Sequence, residues 1–234
     1  KIYTDVTLFT CHDQILKDIN KVFDFFDVNF RVYRYKHLIV SPHYTRSRFY
    51  RLIDREINNA IIGNEAYIKL KMNSLSDFEM IDKLYEASRA GVKIQLLVRG
   101  ICSLIPGVKG MSENIEAISI VDNYLEHARV FIFANNGDQD VFISSADFMK
   151  RNIDARVEVT CPIYDTDIKK ELIDAFNTGW KGNVKARYHS DKLDNKYRVR
   201  GSNPVFRAQL ETYNYYKNRY VISSEEPAIV NPNS

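Results

Sequence analysis

Cysteine is scarce in this chain: Cys11, Cys102 and Cys161 stand far apart among 234 residues. An odd number without metal-ligand spacing excludes a disulfide framework and favours a reducing compartment. Glycine is also sparse, with nine residues, and none falls into a P-loop or a GxGxxG fingerprint. That removes two glycine-built nucleotide cradles. No apolar run approaches the length needed to cross a bilayer, and the opening Lys1-Ile2-Tyr3-Thr4-Asp5 does not look like a signal peptide. It also lacks a methionine and reads as the middle of a strand, which suggests a piece of something longer. Nor is there an excess of one charge, since 33 Lys and Arg against 30 Asp and Glu leave a formal +3. A polyanionic partner would have to be recognised locally rather than through bulk charge.

What is present is material for a core. A hydrophobic fraction of 45% with 12% aromatics suits one medium domain, or one domain with part of a neighbour. Residues 2–10 alternate as a strand with Tyr3, Asp5 and Thr7 on one face. Asp13 is placed to cap a helix whose Ile15, Ile19, Val22 and Phe26 form an apolar stripe. Residues 27–36 have no clear period and read as a connection. After a short strand at 37–40, Ser41-Pro42 predicts a helix start. Phe49, Leu52, Ile53 and Ile57 then point inward, and Arg46, Arg48, Arg51 and Arg55 form a mostly solvated belt. Residues 67–72 alternate Tyr67, Lys69 and Lys71 against Ile68, Leu70 and Met72. Ser76-Asp77-Phe78-Glu79 has the form of a capping box, and Gly91 marks that helix's end. Residues 92–98 are mostly apolar and predict a central strand, so strand, helix and strand make a parallel crossover.

Arg99-Gly100 follows at the carboxyl end of that strand, the edge where open α/β sheets gather ligands. An arginine there suits either a phosphate or a loop carbonyl. Residues 115–121, 157–161 and 184–189 read as further strands, the second ending at Pro162. Asp165 opens one helix and Asn203-Pro204 another, with a charged, exposed excursion at 191–200 between them. The polar tail from residue 223 reads as mobile. His37 and His43 have no partner spacing and read as structural or surface residues.

The organising stretch is 125–158, LEHARVFIFANNGDQDVFISSADFMKRNIDARVE. His127, Arg129, Phe131 and Phe133 fall on one face of a strand, with Ala128, Val130 and Ile132 on the other. Asn135-Asn136-Gly137-Asp138 gives a turn, and a second strand at 141–145 completes a hairpin. This sets a His and an Arg beside Ser144-Ser145, followed by Asp147, Lys150, Arg151 and Arg156. An imidazole with guanidinium groups nearby, and small residues that let backbone N–H groups approach, suits a phosphoryl group. The same pattern also fits a polar sheet end with a solvated histidine and ordinary surface arginines.

His127-x-Arg129, then Ser144-Ser-Ala-Asp-Phe-Met-x-Arg-Asn152 and Arg156-Val-Glu158, resembles the second half of the first family of bacterial polyphosphate kinases. Ile2-Tyr-Thr-Asp5, Leu70-Lys-Met-Asn73, Arg99-Gly-Ile-Cys102, and Pro106-Gly107 leading into Ser112-Glu-Asn114 match in the same order, up to about residue 220. The resemblance implies an α/β fold with a phospholipase D-like domain, a mixed β-sheet flanked by helices. It implies reversible transfer of the terminal phosphate of ATP to polyphosphate with Mg²⁺, through a phosphohistidine. The family's phosphorylated histidine lies upstream of the position of Tyr3, and His12, His37, His43 and His189 sit in no matching motif.

By the same resemblance His127 is the catalytic histidine that assists as acid or base or contacts phosphate, and Tyr3 stacks on adenine. Asp5 lies near the nucleotide or its metal. Arg99, Arg129 and Arg156 bind phosphates, Arg129 standing where these motifs usually carry lysine and Ser144 where they usually carry glycine. No carboxylate cluster supplies a metal site by spacing. Residues 1–36 then form the C-terminal remnant of a preceding catalytic domain, 37–222 the second catalytic domain, and 223–234 a flexible tail. The implied partners are ATP or ADP, polyphosphate, the N-terminal domains of the same enzyme and further copies in a homo-oligomer, with no nucleic acid. The implied location is cytoplasmic, any membrane association belonging to the full-length enzyme. Two other classes share these features: a phospholipase D-like phosphodiesterase or nuclease, and a non-catalytic polyanion-binding module.

Overall fold

The alternation along β3 (Tyr67–Met72) decides where the layers go. Ile68, Leu70 and Met72 are buried on one face, while Tyr67, Lys69 and Lys71 are half-buried on the other. The computed structural model describes residues 2–192 and 194–223, so the tail expected from residue 223 lies, beyond Ser223, outside the described residues. β3 pairs in parallel with β4 (Lys93–Val98), and β4 with β5 (Ile115–Ile120). β10 (Ala186–Tyr188) closes that side antiparallel. On its other side β3 pairs antiparallel with β7 (Arg129–Phe133), then follow β8 (Asp140–Ser144), β9 (Val159–Ile163) and β2 (Ile39–Val40), all antiparallel. The result is an eight-stranded mixed sheet flanked by helices, in the order β10-β5-β4-β3-β7-β8-β9-β2.

α2 (Thr45–Ile61) and α3 (Phe78–Arg89) cover one face, through Phe49, Ile53, Ile57, Met80, Ile81, Leu84 and Ala87. Phe49, Phe131 and Phe148 meet there with ring centroids 5.4, 5.0 and 5.2 Å apart. α5 (Thr166–Lys181) and α6 (Ala208–Ser223) cover the other face, against Val130, Ile132, Val141 and Ile163. The faces expected for Phe131 and Phe133 against Val130 and Ile132 are those observed. α1 (Asp13–Asp27) packs Ile15 and Val22 against Leu38 and Val40 at the sheet's outer edge. Asp18 fastens it there, its carboxylate accepting the backbone N–H of His37 at 2.7 Å and of Leu38 at 3.2 Å. Among the described residues no helix is long and apolar enough to cross a membrane.

Several local expectations need correction. Of residues 2–10, only β1 (Tyr3–Thr4) is a strand, because its single partner is β6 (Leu125–Glu126), itself two residues long. α1 starts after His12 without a side-chain cap from Asp13, and its buried stripe uses Phe25 where Phe26 was expected, Phe26 being 60% exposed. α2 begins at Thr45 rather than at Ser41-Pro42: the Ser41 N–H is held by the Glu158 carbonyl, and the Ser41 hydroxyl bonds Thr45 at 2.8 Å. The arginine belt is not mainly solvated, since Arg46 is drawn into Asp77 and Asp154, and Arg55 pairs with Asp140. Asp77 rather than Ser76 caps α3, accepting from the Met80 N–H.

β9 runs through Pro162 instead of stopping before it. β2 reaches only Val159 and Thr160, so Pro162 has no ladder bond to lose on that side. The last helix starts at Ala208 rather than at Asn203-Pro204, because Asn183 holds the intervening stretch extended. Its side chain donates to the Pro204 carbonyl and accepts from the Phe206 N–H, each at 2.8 Å.

Candidate active site

The strand expected to carry His127 is broken at that residue. β6 ends at Glu126 and β7 begins at Arg129, so the chain leaves a parallel pairing with β1 and joins the main sheet two residues later. The His127 N–H donates to the Thr4 carbonyl at 2.8 Å. His127 thus stands between two sheets, 37% exposed at its side chain.

Its imidazole has a neighbour on each side. Nδ1 lies 2.7 Å from Asp5 Oδ2. Arg129 Nη1 lies across the ring, 3.2 Å from Nδ1 and 3.1 Å from Nε2, and donates to the His127 carbonyl at 3.1 Å. Tyr3 meets the ring edge-on at 5.7 Å between centroids. Burial raises the Asp5 carboxyl, but bonds from His127 and the Val6 N–H and the nearby Arg129 charge outweigh it and hold it below its ordinary pKa. Arg129 is steadied from behind by buried Asp147, which accepts from its Nε at 3.2 Å and Nη2 at 3.3 Å.

A cleft of about 480 Å³ opens beside this group, lined by Asp5, His127, Arg129, Ser144, Ser145 and Arg156 among others. Arg156 stands exposed on it, just after α4 (Lys150–Asp154). The Ser144 hydroxyl accepts the Ala146 N–H at 3.0 Å and bonds Thr160 at 2.6 Å, so serine here is committed to shaping the turn. Ser145 donates to Glu158, which also receives Asn152. The floor of the cleft is therefore polar and largely satisfied, with guanidinium groups of Arg129 and Arg156 at its walls. Such an arrangement can bind a polyanionic oxygen cluster next to a titratable nitrogen.

A family model described as polyphosphate kinase C-terminal domain 2 matches residues 38–209. The chain belongs to this polyphosphate kinase family. Along its whole length it is 47% identical, over 233 residues, to the polyphosphate kinase of Vibrio vulnificus (strain YJ016). The Escherichia coli K12 polyphosphate kinase is 46% identical over 217 residues, 93% of this chain. Each alignment takes in only 33% and 32% of those proteins, so the chain spans about a third of the relatives' length. The crystal structure of polyphosphate kinase from Porphyromonas gingivalis superposes with a TM-score of 0.87 at 39% identity, covering 91% of this chain and 33% of that one.

Of the residues singled out in this polyphosphate kinase segment, His127, Arg129 and Arg156 line one cleft, and Tyr3 adjoins it through its ring contact with His127. Arg99 does not line the same cleft. It faces a separate, smaller hollow with Lys71 and Glu126, and its side chain is bonded to Asn73. Glu126 is raised by burial but lowered more by Lys71 and Gln209, so it stays ionised beside Lys71. His37 bonds the Tyr164 hydroxyl at 2.6 Å, and His189 lies 3.0 Å from the Val98 carbonyl, away from the cleft. Sequence reasoning had Asp147 and Asn73 in view but gave them no task. The available signal was their position, each just past a strand end at the sheet's carboxyl edge.

Among the described residues no group of three or more His, Cys, Asp or Glu side chains could hold a metal ion. The nearby carboxylates are also engaged: Asp5 by His127, Asp147 by Arg129 and the Asn73 N–H, Glu126 by Lys71, and Glu158 by Ser145 and Asn152. This chain's residues do not fit a Mg²⁺ held by the protein, because a hard cation needs several free oxygens.

Proposed function

We propose that this chain forms the C-terminal part of the catalytic centre of an enzyme that reversibly moves the terminal phosphate of ATP onto polyphosphate. The observation that carries the reading is the convergence of His127, Arg129 and Arg156 on one polar cleft in a chain of this family. Phosphoryl transfer asks mainly for positioning and for positive charge around the moving group. The bond from the γ-phosphorus to the ADP oxygen breaks, and a bond to the acceptor forms. Arg129 and Arg156 offset the charge on the phosphate oxygens, and Arg99 holds a neighbouring phosphate. His127, engaged through Nδ1 by Asp5, uses Nε2 to bind or protonate the departing oxygen. The exposed Tyr3 ring, beside the imidazole, serves as the platform for adenine.

The histidine that accepts the phosphoryl group belongs to the part of the longer protein that precedes this segment. On this reading residues 1–36 go with that preceding domain and 37–222 form the second catalytic domain. The preceding domains and further copies of the chain are its partners, polyphosphate its acceptor, and the cytoplasm its location. The chain by itself is inactive.

The test is incubation with γ-labelled ATP, with and without the preceding part supplied as a separate protein. Labelled polyphosphate made only in the mixture, and lost in His127→Ala or Arg99→Ala, is the expected result. Polyphosphate made by this chain alone, or acid-labile label on it alone, would overturn the division of labour. Steady cleavage of a phosphodiester instead, lost in His127→Ala, would point to a phospholipase D-like hydrolase.

A further inference from the structure

Two arginines expected to hold phosphate, Arg99 and Arg129, lie in separate hollows, yet they are tied by one continuous set of bonds. Asp147 Oδ1, already paired with Arg129 Nε, also accepts the Asn73 backbone N–H at 2.8 Å. The Asn73 side-chain oxygen then accepts from Arg99 twice, from Nε at 3.0 Å and from Nη2 at 2.7 Å. Asn73 is only 7% exposed, so this oxygen has no competing water layer. One edge of the Arg99 guanidinium is consumed, and its Nη1 donors are left uncommitted among the described residues. A guanidinium held by one edge presents its remaining donors in a fixed direction, which is what bidentate recognition of a phosphate needs.

The backbone repeats the tie. Gly100 donates its N–H to the Asn73 carbonyl at 2.8 Å, and a Cβ on Gly100 would stand 2.9 Å from that same carbonyl oxygen. The chain after Arg99 is pressed against Asn73 so closely that a side chain does not fit. Asn73 is therefore gripped on three sides: by Asp147 at its N–H, by Gly100 at its carbonyl, and by Arg99 at its side chain. Its Nδ2 is buried with no partner. The side-chain oxygen is thus held on Arg99 even though the other end of the amide goes unsatisfied.

We infer that Asn73 is a positioning residue that aims the Arg99 guanidinium at a phosphate and couples it, through Asp147, to Arg129 beside His127. The inference rests on the reading of Arg99 as a phosphate contact and adds the residue that makes that contact directional. Asn73 itself touches no substrate through its oxygen. Its effect passes through Arg99.

The test is calorimetric titration of this chain with inorganic tripolyphosphate, for the wild type, Asn73→Ala, Arg99→Ala and the double variant, with circular dichroism to confirm folding. If Asn73 works through Arg99, Asn73→Ala weakens binding about tenfold, and adding it to Arg99→Ala changes little further. Gly100→Ala, which leaves both side chains in place and disturbs only their approach, weakens binding in the same direction.

A full additive loss in the double variant overturns the inference, since a merely structural asparagine would act independently of Arg99. So does an Asn73→Ala or Gly100→Ala chain that binds as the wild type does while Arg99→Ala binds weakly. If Arg99→Ala binds tripolyphosphate like the wild type, or the wild type binds none, the underlying reading of Arg99 fails and takes this inference with it. Should Asn73→Ala not fold, Gly100→Ala combined with Arg99→Ala gives the same cycle.

Discussion

Replacing Asp147 by alanine should destabilise this protein far more than a typical surface charge would. Its carboxylate meets Arg129 at 3.2 and 3.3 Å and the Asn73 N–H at 2.8 Å, and the two charged side chains are 10% and 11% exposed. Deleting one member of a buried pair leaves an uncompensated charge and costs about 3–5 kcal/mol. The orphaned Asn73 N–H adds about 1 kcal/mol, whereas the His127 carbonyl still accepts from Arg129 and the nearby cleft admits water, which offsets part of the loss. A net loss of about 3 kcal/mol follows, and for a chain of this size it lowers Tm by about 6–12 °C.

The assay is a thermal melt by circular dichroism in phosphate-free buffer, because a bound anion would replace the missing carboxylate. Asp147→Asn, which keeps an acceptor for the Asn73 N–H, should fall between. The double variant Arg129→Leu with Asp147→Ala should melt above Asp147→Ala alone, since the stranded charge is gone. A fall of less than about 2 °C for Asp147→Ala would refute the reasoning, as would strict additivity in the double variant.

Three further outcomes follow from the geometry. Asp18→Ala should cost about 2–3 kcal/mol by stranding two backbone N–H groups and Lys21, read as a lower urea midpoint. Burial raises the Asp18 carboxyl, but the Lys21 and backbone bonds hold it below its ordinary value, so this stabilisation is complete above about pH 4 and lost as pH falls further. The gap between wild type and Asp18→Asn should therefore narrow on acidification through that range, and a constant gap would contradict it. Phe148→Ala, which empties the centre of the three-ring cluster, should cost about 3–5 kcal/mol by chemical denaturation. Burial pushes the thiols of Cys102 and Cys161 up to about 11, while Cys11 is exposed. Mass spectrometry after iodoacetamide at neutral pH should find one alkylated cysteine in the folded chain and three after unfolding.

The layers of this fold were legible because β3, β4 and the β7–β8 hairpin carry their burial in strict alternation or in continuous apolar runs. The turn at Asn135-Asn136-Gly137 was equally legible, since all three residues take positive φ, at 45°, 53° and 95°, which Asn and Gly tolerate best. Element starts were less so. Ser41-Pro42 and Asn203-Pro204 both carry helix-start chemistry, yet Ser41 is held by the Glu158 carbonyl and the stretch after Pro204 by Asn183, partners that no local pattern reveals. At the candidate site the residue types in 125–158 pointed to His127, Arg129 and Arg156. The break in the strand at His127 did not show, because Leu125 to Phe133 contains no Gly or Pro to interrupt a strand. What breaks it is β1, more than 120 positions away in the chain. Asn73 and Asp147 escaped for the same reason, since their importance lies in whom they touch.

That break has a consequence for the order in which the molecule assembles. The bonds around His127 to Thr4 and Asp5 close a loop that contains β2, β3, β4 and β5 together with α1 and the two helices of one face, α2 and α3. Closing so long a loop before its interior is compact carries a large entropic cost, so the hairpin and the parallel ladder should form first and the docking of β1 last. The cleft then exists only in molecules whose hairpin and parallel ladder are already in place. A population trapped short of that point would keep its secondary structure and its aromatic core while its histidine had no neighbour on one side.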